Sequence, residues 1–183
     1  MSLIKPKRAL ISVSDKKNLK ELVNFLVNQN VKIISTGGTY QAIKKLTNDV
    51  QEVSKFTGFD EMMDGRVKTL HPKIHAGILA KRDSDLNILK KKGYKEIDLV
   101  IVNLYPFKET IASKCTFEEA IEKIDIGGPA MIRSAAKNFK DVVVISDPND
   151  YSRLVEEWKN QDGISYEFRK ELSQKVFQLM ADY

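Results

Sequence analysis

A single cysteine, Cys115, in 183 residues leaves no internal disulfide to form and fits a reducing compartment. It has no histidine near it in sequence, which gives a nucleophile role no support. Histidine occurs only twice, at His71 and His75. Four apart, the pair shares one face of a helix, but a zinc site needs a third ligand and no acidic residue sits in the usual partner pattern. Structural hydrogen bonding is the better reading, and no metal is expected. No apolar run approaches the roughly 20 residues that cross a bilayer. The N-terminus lacks an apolar stretch leading to a small-residue cleavage site. The expectation is therefore a cytoplasmic protein with no membrane partner. Low-complexity segments, linkers and internal repeats are missing too. So are G-x-x-x-x-G-K-[ST] and G-x-G-x-x-G, which removes the P-loop and the dinucleotide fingerprint. The net charge is only +5. Runs such as Lys90-Lys91-Lys92 read as solvated helix faces. With neither interleaved exposed aromatics nor a reading module, nucleic acid is not an expected partner. A modest positive field suits an anionic metabolite.

What is present is an ordinary globular composition, 42% hydrophobic and 30% charged, in a length that suits one core, so residues 1–183 are read as a single domain. Short β-branched runs at Arg8 to Val13, Val31 to Ser35, Gln51 to Ser54, Leu99 to Asn103 and Val142 to Ser146 predict buried strands. Helical spacing predicts helices over Lys16 to Asn30, with Ser14 or Asp15 as cap, and over roughly Tyr40 to Leu46. Further helices are predicted from Pro72, over Asp85 to Lys92 with Gly93 closing, over Phe117 to Lys123, Pro129 to Asn138, Pro148 to Asn160 and Tyr166 to Tyr183. Phe56 to Thr69 reads as irregular, broken by Gly58 and Gly65. The chain stops inside a helical pattern, so Tyr183 need not be the natural end. Strands alternating with helices predict an α/β fold with a central, mostly parallel sheet and helices on both faces.

In such a sheet ligands collect beyond the carboxyl ends of the strands. Ser14-Asp15-Lys16, Thr36-Gly37-Gly38-Thr39 and Asn103-Leu104-Tyr105-Pro106 each follow a strand, which puts all three on one rim. The Thr36 to Thr39 turn can offer backbone N–H groups and two hydroxyls to a phosphate at a helix N-terminus, although Gly-Gly turns between strand and helix are common. Arg66-Val67-Lys68-Thr69-Leu70-His71-Pro72 and Ile124-Asp125-Ile126-Gly127-Gly128-Pro129 crowd charged and hydroxyl side chains around tight turns. Lys137 falls near the far end of the helix that follows, where a lysine also serves the helix dipole.

These segments, with His75 to Ala80 and Arg133 to Asn138, run in the order found in a known family. The chain resembles the inosine-monophosphate cyclohydrolase domain of the bifunctional purine-biosynthesis enzymes, whose other domain is a formyltransferase using a folate. The resemblance implies a methylglyoxal-synthase-like fold. It implies ring closure of 5-formamidoimidazole-4-carboxamide ribonucleotide to inosine monophosphate (IMP) with loss of water. It implies nucleotide contacts at Ser14, Asp15, Lys16, Thr36, Gly37, Gly38, Thr39, Arg66, Val67, Thr69, Val102, Asn103 and Ile126. It associates Lys68, Tyr105, Asp125 and Lys137 with catalysis. It implies a homodimer and no cofactor for this reaction. Folate enters only through the transformylase domain, which this sequence lacks. Methylglyoxal synthase and a non-catalytic nucleotide-binding regulatory module of the same fold are the alternatives. A fragment that depends on the missing domain is a further one.

Overall fold

The computed structural model describes residues 3–105 and 115–183. Five strands form one sheet in the order β3-β2-β1-β4-β5: β1 Arg8–Val13, β2 Lys32–Ser35, β3 Val50–Glu52, β4 Leu99–Asn103 and β5 Val143–Ile145. Every pairing is parallel, with Ala9 opposite both Ile33 and Leu99, and Ile33 opposite Val50. The strands are apolar on both faces because both faces are covered. Leu10, Ile11, Ile33, Ile34, Val100 and Ile101 are all at most 2% exposed, so neither alternate set faces water.

The helices are α1 Leu19–Asn28, α2 Gly37–Lys44, α3 Val53–Thr57, α4 Pro72–Leu79, α5 Leu86–Lys92, α6 Phe117–Glu122, α7 Gly127–Lys137, α8 Tyr151–Gln161 and α9 Tyr166–Asp182. From β1 the chain steps outward through β2 to β3, then returns to β4 and steps the other way to β5. Right-handed crossovers then place α1 and α7 on opposite faces. On one face, α1 meets α8 where Phe25 stands edge-on to Trp158, ring centroids 5.5 Å apart. On the other, α4, α7 and α9 pack together. There the Ser173 hydroxyl donates to the Ala136 carbonyl and His75 Nδ1 meets Ser134 Oγ. Arg169 of α9 is buried, and its guanidinium donates to the Ile164, Phe139 and Lys140 carbonyls.

Four element boundaries differ from expectation. The Asp15 carboxylate accepts the Lys17 N–H and folds the Ser14 to Asn18 stretch into a turn, so α1 begins at Leu19 and neither Ser14 nor Asp15 caps it. The third strand ends at Glu52 because Val53 turns into α3, whose Thr57 hydroxyl bonds back to the Val53 carbonyl. Both glycine pairs lie inside helices: α2 starts at Gly37 and α7 at Gly127. No helix among the described residues is long and apolar enough to cross a membrane.

Candidate active site

The outward and return paths of the chain separate between β1 and β4, and the crevice beyond their carboxyl ends is where a parallel sheet holds ligands. Asn103, the last residue of β4, closes the floor of that crevice. Its Oδ1 accepts the backbone N–H groups of Ser14 and Asp15, at 2.6 and 2.9 Å, and its Nδ2 donates to the Asp15 carbonyl. Asn103 therefore shapes the Ser14-Asp15-Lys16 loop with the same atoms that a ligand contact would use. Tyr151, at the start of α8, adds a hydrogen bond to Asn103. Its phenol pKa is pushed up to about 12, chiefly by burial and then by the nearby Asp15 charge. Sequence reasoning missed Tyr151; its only signal is that it follows β5 and so falls on the same rim.

Thr39 is a correction. Its side chain was expected to face a phosphate, but it is 4% exposed. Its hydroxyl accepts the Val13 N–H and donates to the Val13 carbonyl, both at 2.9 Å. It clamps α2 to β1. Thr36 and the helix-start N–H groups of Gly37 and Gly38 remain to meet a ligand, since a helix leaves its first N–H groups unpaired. Gly37 sits at φ 54°, where a side chain would be strained.

The Arg66 to Thr69 segment folds back onto this turn. A Cβ at Gly65 would lie 2.8 Å from Lys68 Nζ, so that glycine makes room for the lysine, whose Nζ would stand in ordinary contact, 3.9 Å, with a Cβ at Gly37. Thr69, buried, reaches the start of α7, where a Cβ at Gly127 would lie 2.6 Å from its hydroxyl. One residue on, a Cβ at Gly128 would run into Asp125 Oδ2 and come within 2.8 Å of Leu104. Asp125 Oδ1 accepts the Gly128 N–H at 2.9 Å, and the Asp125 N–H donates to the Tyr183 hydroxyl. Four motifs distant in sequence thus touch in series: the Gly-Gly turn, Lys68-Thr69, Asp125 with Gly127-Gly128, and Leu104 beside Tyr105. Tyr105 is 54% exposed at this rim. Lys16 and Ile126 are exposed as well, while Val67 is half-buried and Val102 is sealed in β4 with only its backbone near the crevice. Pro106 and Phe107 lie outside the described residues.

Lys137 stands apart from this series within the chain. Helix α7 starts at the rim and runs away from it for 11 residues, roughly 15 Å at 1.5 Å per residue. The next residue, Asn138, donates to the Ile78 and Ala80 carbonyls at the far end of α4. Lys137 is exposed there, and a lysine side chain cannot span the distance back to Asp125.

Both cations of the Arg66 to Thr69 segment are held by carboxylates that the sequence did not single out. Lys68 pairs with Glu61 at 2.9 Å, and Arg66 makes a two-pronged bond to Glu122 of α6. The hydrogen bond with Glu122, and then its charge, raise the Arg66 pKa; the same contacts lower that of Glu122. A cavity of about 310 Å³ opens beside Lys68, with Thr36, Ser54 and Glu61 in its wall. The two histidines are structural: His71 Nδ1 accepts the Lys73 N–H and caps α4, and His75 is fastened to Ser134. Among the described residues no three His, Cys, Asp or Glu side chains cluster as a metal would require.

Comparison with known proteins adds three findings. The model of the MGS-like domain family matches residues 18–130, and that of the AICARFT/IMPCHase bienzyme family matches residues 135–183. The bifunctional purine biosynthesis protein PurH of Clostridium kluyveri is 57% identical over 178 residues, which is 96% of this chain and 36% of the relative. The protein of that name from Fusobacterium nucleatum subsp. nucleatum is 56% identical over 179 residues, 97% of this chain and 36% of its own length. The chain thus spans about 36% of the curated relatives it matches. The crystal structure of ForH superposes with a TM-score of 0.83 at 34% identity, covering 98% of this chain and 95% of that one.

Proposed function

The chain belongs to the MGS-like domain family, and on that premise we propose that it is an IMP cyclohydrolase, closing the purine ring of 5-formamidoimidazole-4-carboxamide ribonucleotide. The observation that carries this reading is the unbroken series of contacts from the Gly-Gly turn through Lys68, Thr69, Gly127 and Asp125 to Leu104. The reading is supported by the neighbourhood of the Gly-Gly turn, Lys68, Asp125 and the residue before Tyr105.

In this reading the 5′-phosphate lies on the N–H groups of Gly37 and Gly38, with Thr36, Lys16 and Arg66 around it. The carboxamide nitrogen attacks the formyl carbon and forms the new C–N bond. As it does so the nitrogen gives up a proton and the formyl oxygen gains negative charge. Both groups are on one molecule, so the protein has mainly to hold the attacking rotamer. Asp125 does this: Oδ1 is anchored on the Gly128 N–H, which leaves Oδ2 to accept the carboxamide N–H. Lys68 stabilises the oxyanion and delivers the proton that makes it a hydroxyl. The hydroxyl then departs as water, taking up a second proton, while the former formamide nitrogen loses its hydrogen and forms the C=N bond; the carboxamide nitrogen keeps its remaining hydrogen. Tyr105 donates to the departing oxygen. Lys137, at the far end of α7, is assigned no step within one chain. The reaction calls for no metal and no organic cofactor. A homodimer and a cytoplasmic location belong to the same reading.

The test is absorbance-monitored turnover by the purified chain in chelator, without folate. Conversion above the spontaneous rate that falls at least ~10²-fold in both Lys68→Met and Asp125→Asn supports the assignment. IMP binding without turnover would make the chain a binding module instead.

A further inference from the structure

The opposite end of the sheet holds a second hollow that shares no lining residue with the crevice. It measures about 560 Å³ and opens at the amino ends of β1, β2 and β3. Four cations surround it: Arg8, Lys32, Lys73 and Lys95. Among the described residues, Asp49 is the one carboxylate in its wall. Among the described residues, none of the four cations forms an ion pair. Two of them are nonetheless fixed in place by neutral acceptors. Arg8 Nη1 donates to the Glu96 carbonyl at 2.7 Å. Lys73 Nζ donates to the Thr57 carbonyl at 3.1 Å and lies 5.9 Å from the centre of the Tyr94 ring. Carbonyl oxygens orient a cation without cancelling its charge, so the hollow keeps an excess of positive charge. Like charges gathered around a concavity repel one another and focus a field that attracts anions. The floor is different in kind: Val50 and Phe56, each 9% exposed, offer it apolar surface.

We propose that this cavity binds a nucleoside di- or triphosphate, with its phosphates among Arg8, Lys32, Lys73 and Lys95 and its base against Val50 and Phe56. Four cations against one carboxylate match a polyphosphate better than the single phosphate of a mononucleotide. The volume lies within the roughly 300–1,000 Å³ of small-molecule sites, and a few charged groups over an apolar floor is how such sites are built. The site is separate from the rim, so its occupancy does not depend on the cyclohydrolase reading.

Calorimetric titration of the whole chain with ATP at ~0.15 M salt, where surface attraction is screened, tests the proposal. It is run with and without saturating IMP, alongside pyrophosphate as a second probe. Binding should persist under IMP and under Lys68→Met. It should weaken at least ~10-fold in Lys32→Glu/Lys95→Glu, two exposed positions whose loss leaves the fold intact, and tighten in Asp49→Asn. Pyrophosphate should bind more weakly than ATP, because it cannot use the apolar floor. The proposal is overturned if ATP does not bind, or if Lys68→Met rather than the double variant abolishes binding. Equal binding of pyrophosphate and ATP overturns the nucleoside assignment. A dimer that the double variant dissociates, with no ATP bound, shows that a second copy occupies the hollow and also overturns it.

Discussion

Gly127 and Thr69 meet with no space for a side chain: a Cβ on Gly127 would stand 2.6 Å from the Thr69 hydroxyl oxygen. Thr69 is buried. Gly127→Ala should therefore push the Arg66 to Thr69 segment off α7. The expected result is a loss of at least ~10-fold in both IMP affinity and turnover, since displacements of an ångström at a positioning segment carry such costs. Calorimetry and the turnover assay read it directly. An alanine variant with unchanged affinity would mean that Lys68 does not need α7 to reach the ligand.

Thr39→Val keeps the shape of the side chain and removes both hydroxyl bonds to Val13. Because the site is buried, the Val13 N–H and carbonyl lose a partner, which costs roughly 1–3 kcal/mol. Urea unfolding should show that loss, and Thr39→Ser should recover most of it. IMP affinity, measured where the variant is fully folded, should change little. A large affinity loss with unchanged stability would return the hydroxyl to the ligand.

Lys137→Ala removes an exposed side chain at the end of α7 remote from Asp125. IMP affinity should stay within ~2-fold of the parent, as for other surface changes away from a site. A weakened affinity would require a path from that end of α7 to the rim that the single chain does not contain.

Apolar continuity made the sheet legible in advance. Leu99 to Val102 allows no polar face, so a buried parallel strand was its only economical reading. The glycine pairs misled by propensity: glycine is a poor helix former, which drew the predicted starts of α2 and α7 past Gly37 and Gly127. At the start of α7 Gly127 serves close approach by Thr69, and at the start of α2 Gly37 takes a positive φ, both of which only coordinates reveal. Asn103 and Thr39 were legible as important, but sequence cannot say whether a polar side chain at a strand end faces a ligand or a neighbouring backbone. Both face backbone. Lys137 came from a motif, and the length of α7 sets it apart from Asp125 within the chain. Glu61 and Glu122 carried no sequence signal, because nothing local distinguishes a carboxylate that faces a cation far along the chain.

His75 gives the fold a pH dependence whose sign follows from its burial. Ser134 Oγ donates to the Ala130 carbonyl at 2.8 Å and lies 3.1 Å from His75 Nδ1. The other ring nitrogen, Nε2, is buried. Burial lowers the His75 pKa, and the Thr69 carbonyl opposes it more weakly. With the folded pKa below the unfolded value of about 6.5, the unfolded chain takes up the proton first as pH falls. Stability is complete above that value and declines as pH drops through the folded pKa. Denaturation midpoints across that interval should fall for the parent and fall less steeply for His75→Gln. Parallel curves would clear His75 of the effect.

The sheet ends on two strands of three residues each, Val50–Glu52 and Val143–Ile145. Strands this short present almost no row of unpaired backbone groups for another chain to extend. Two copies of this molecule thus have little means of zipping together strand to strand along either of these edges. Whatever assembly the chain enters must be written in side chains, and single surface substitutions should be able to dissolve it while every strand pairing stays in register.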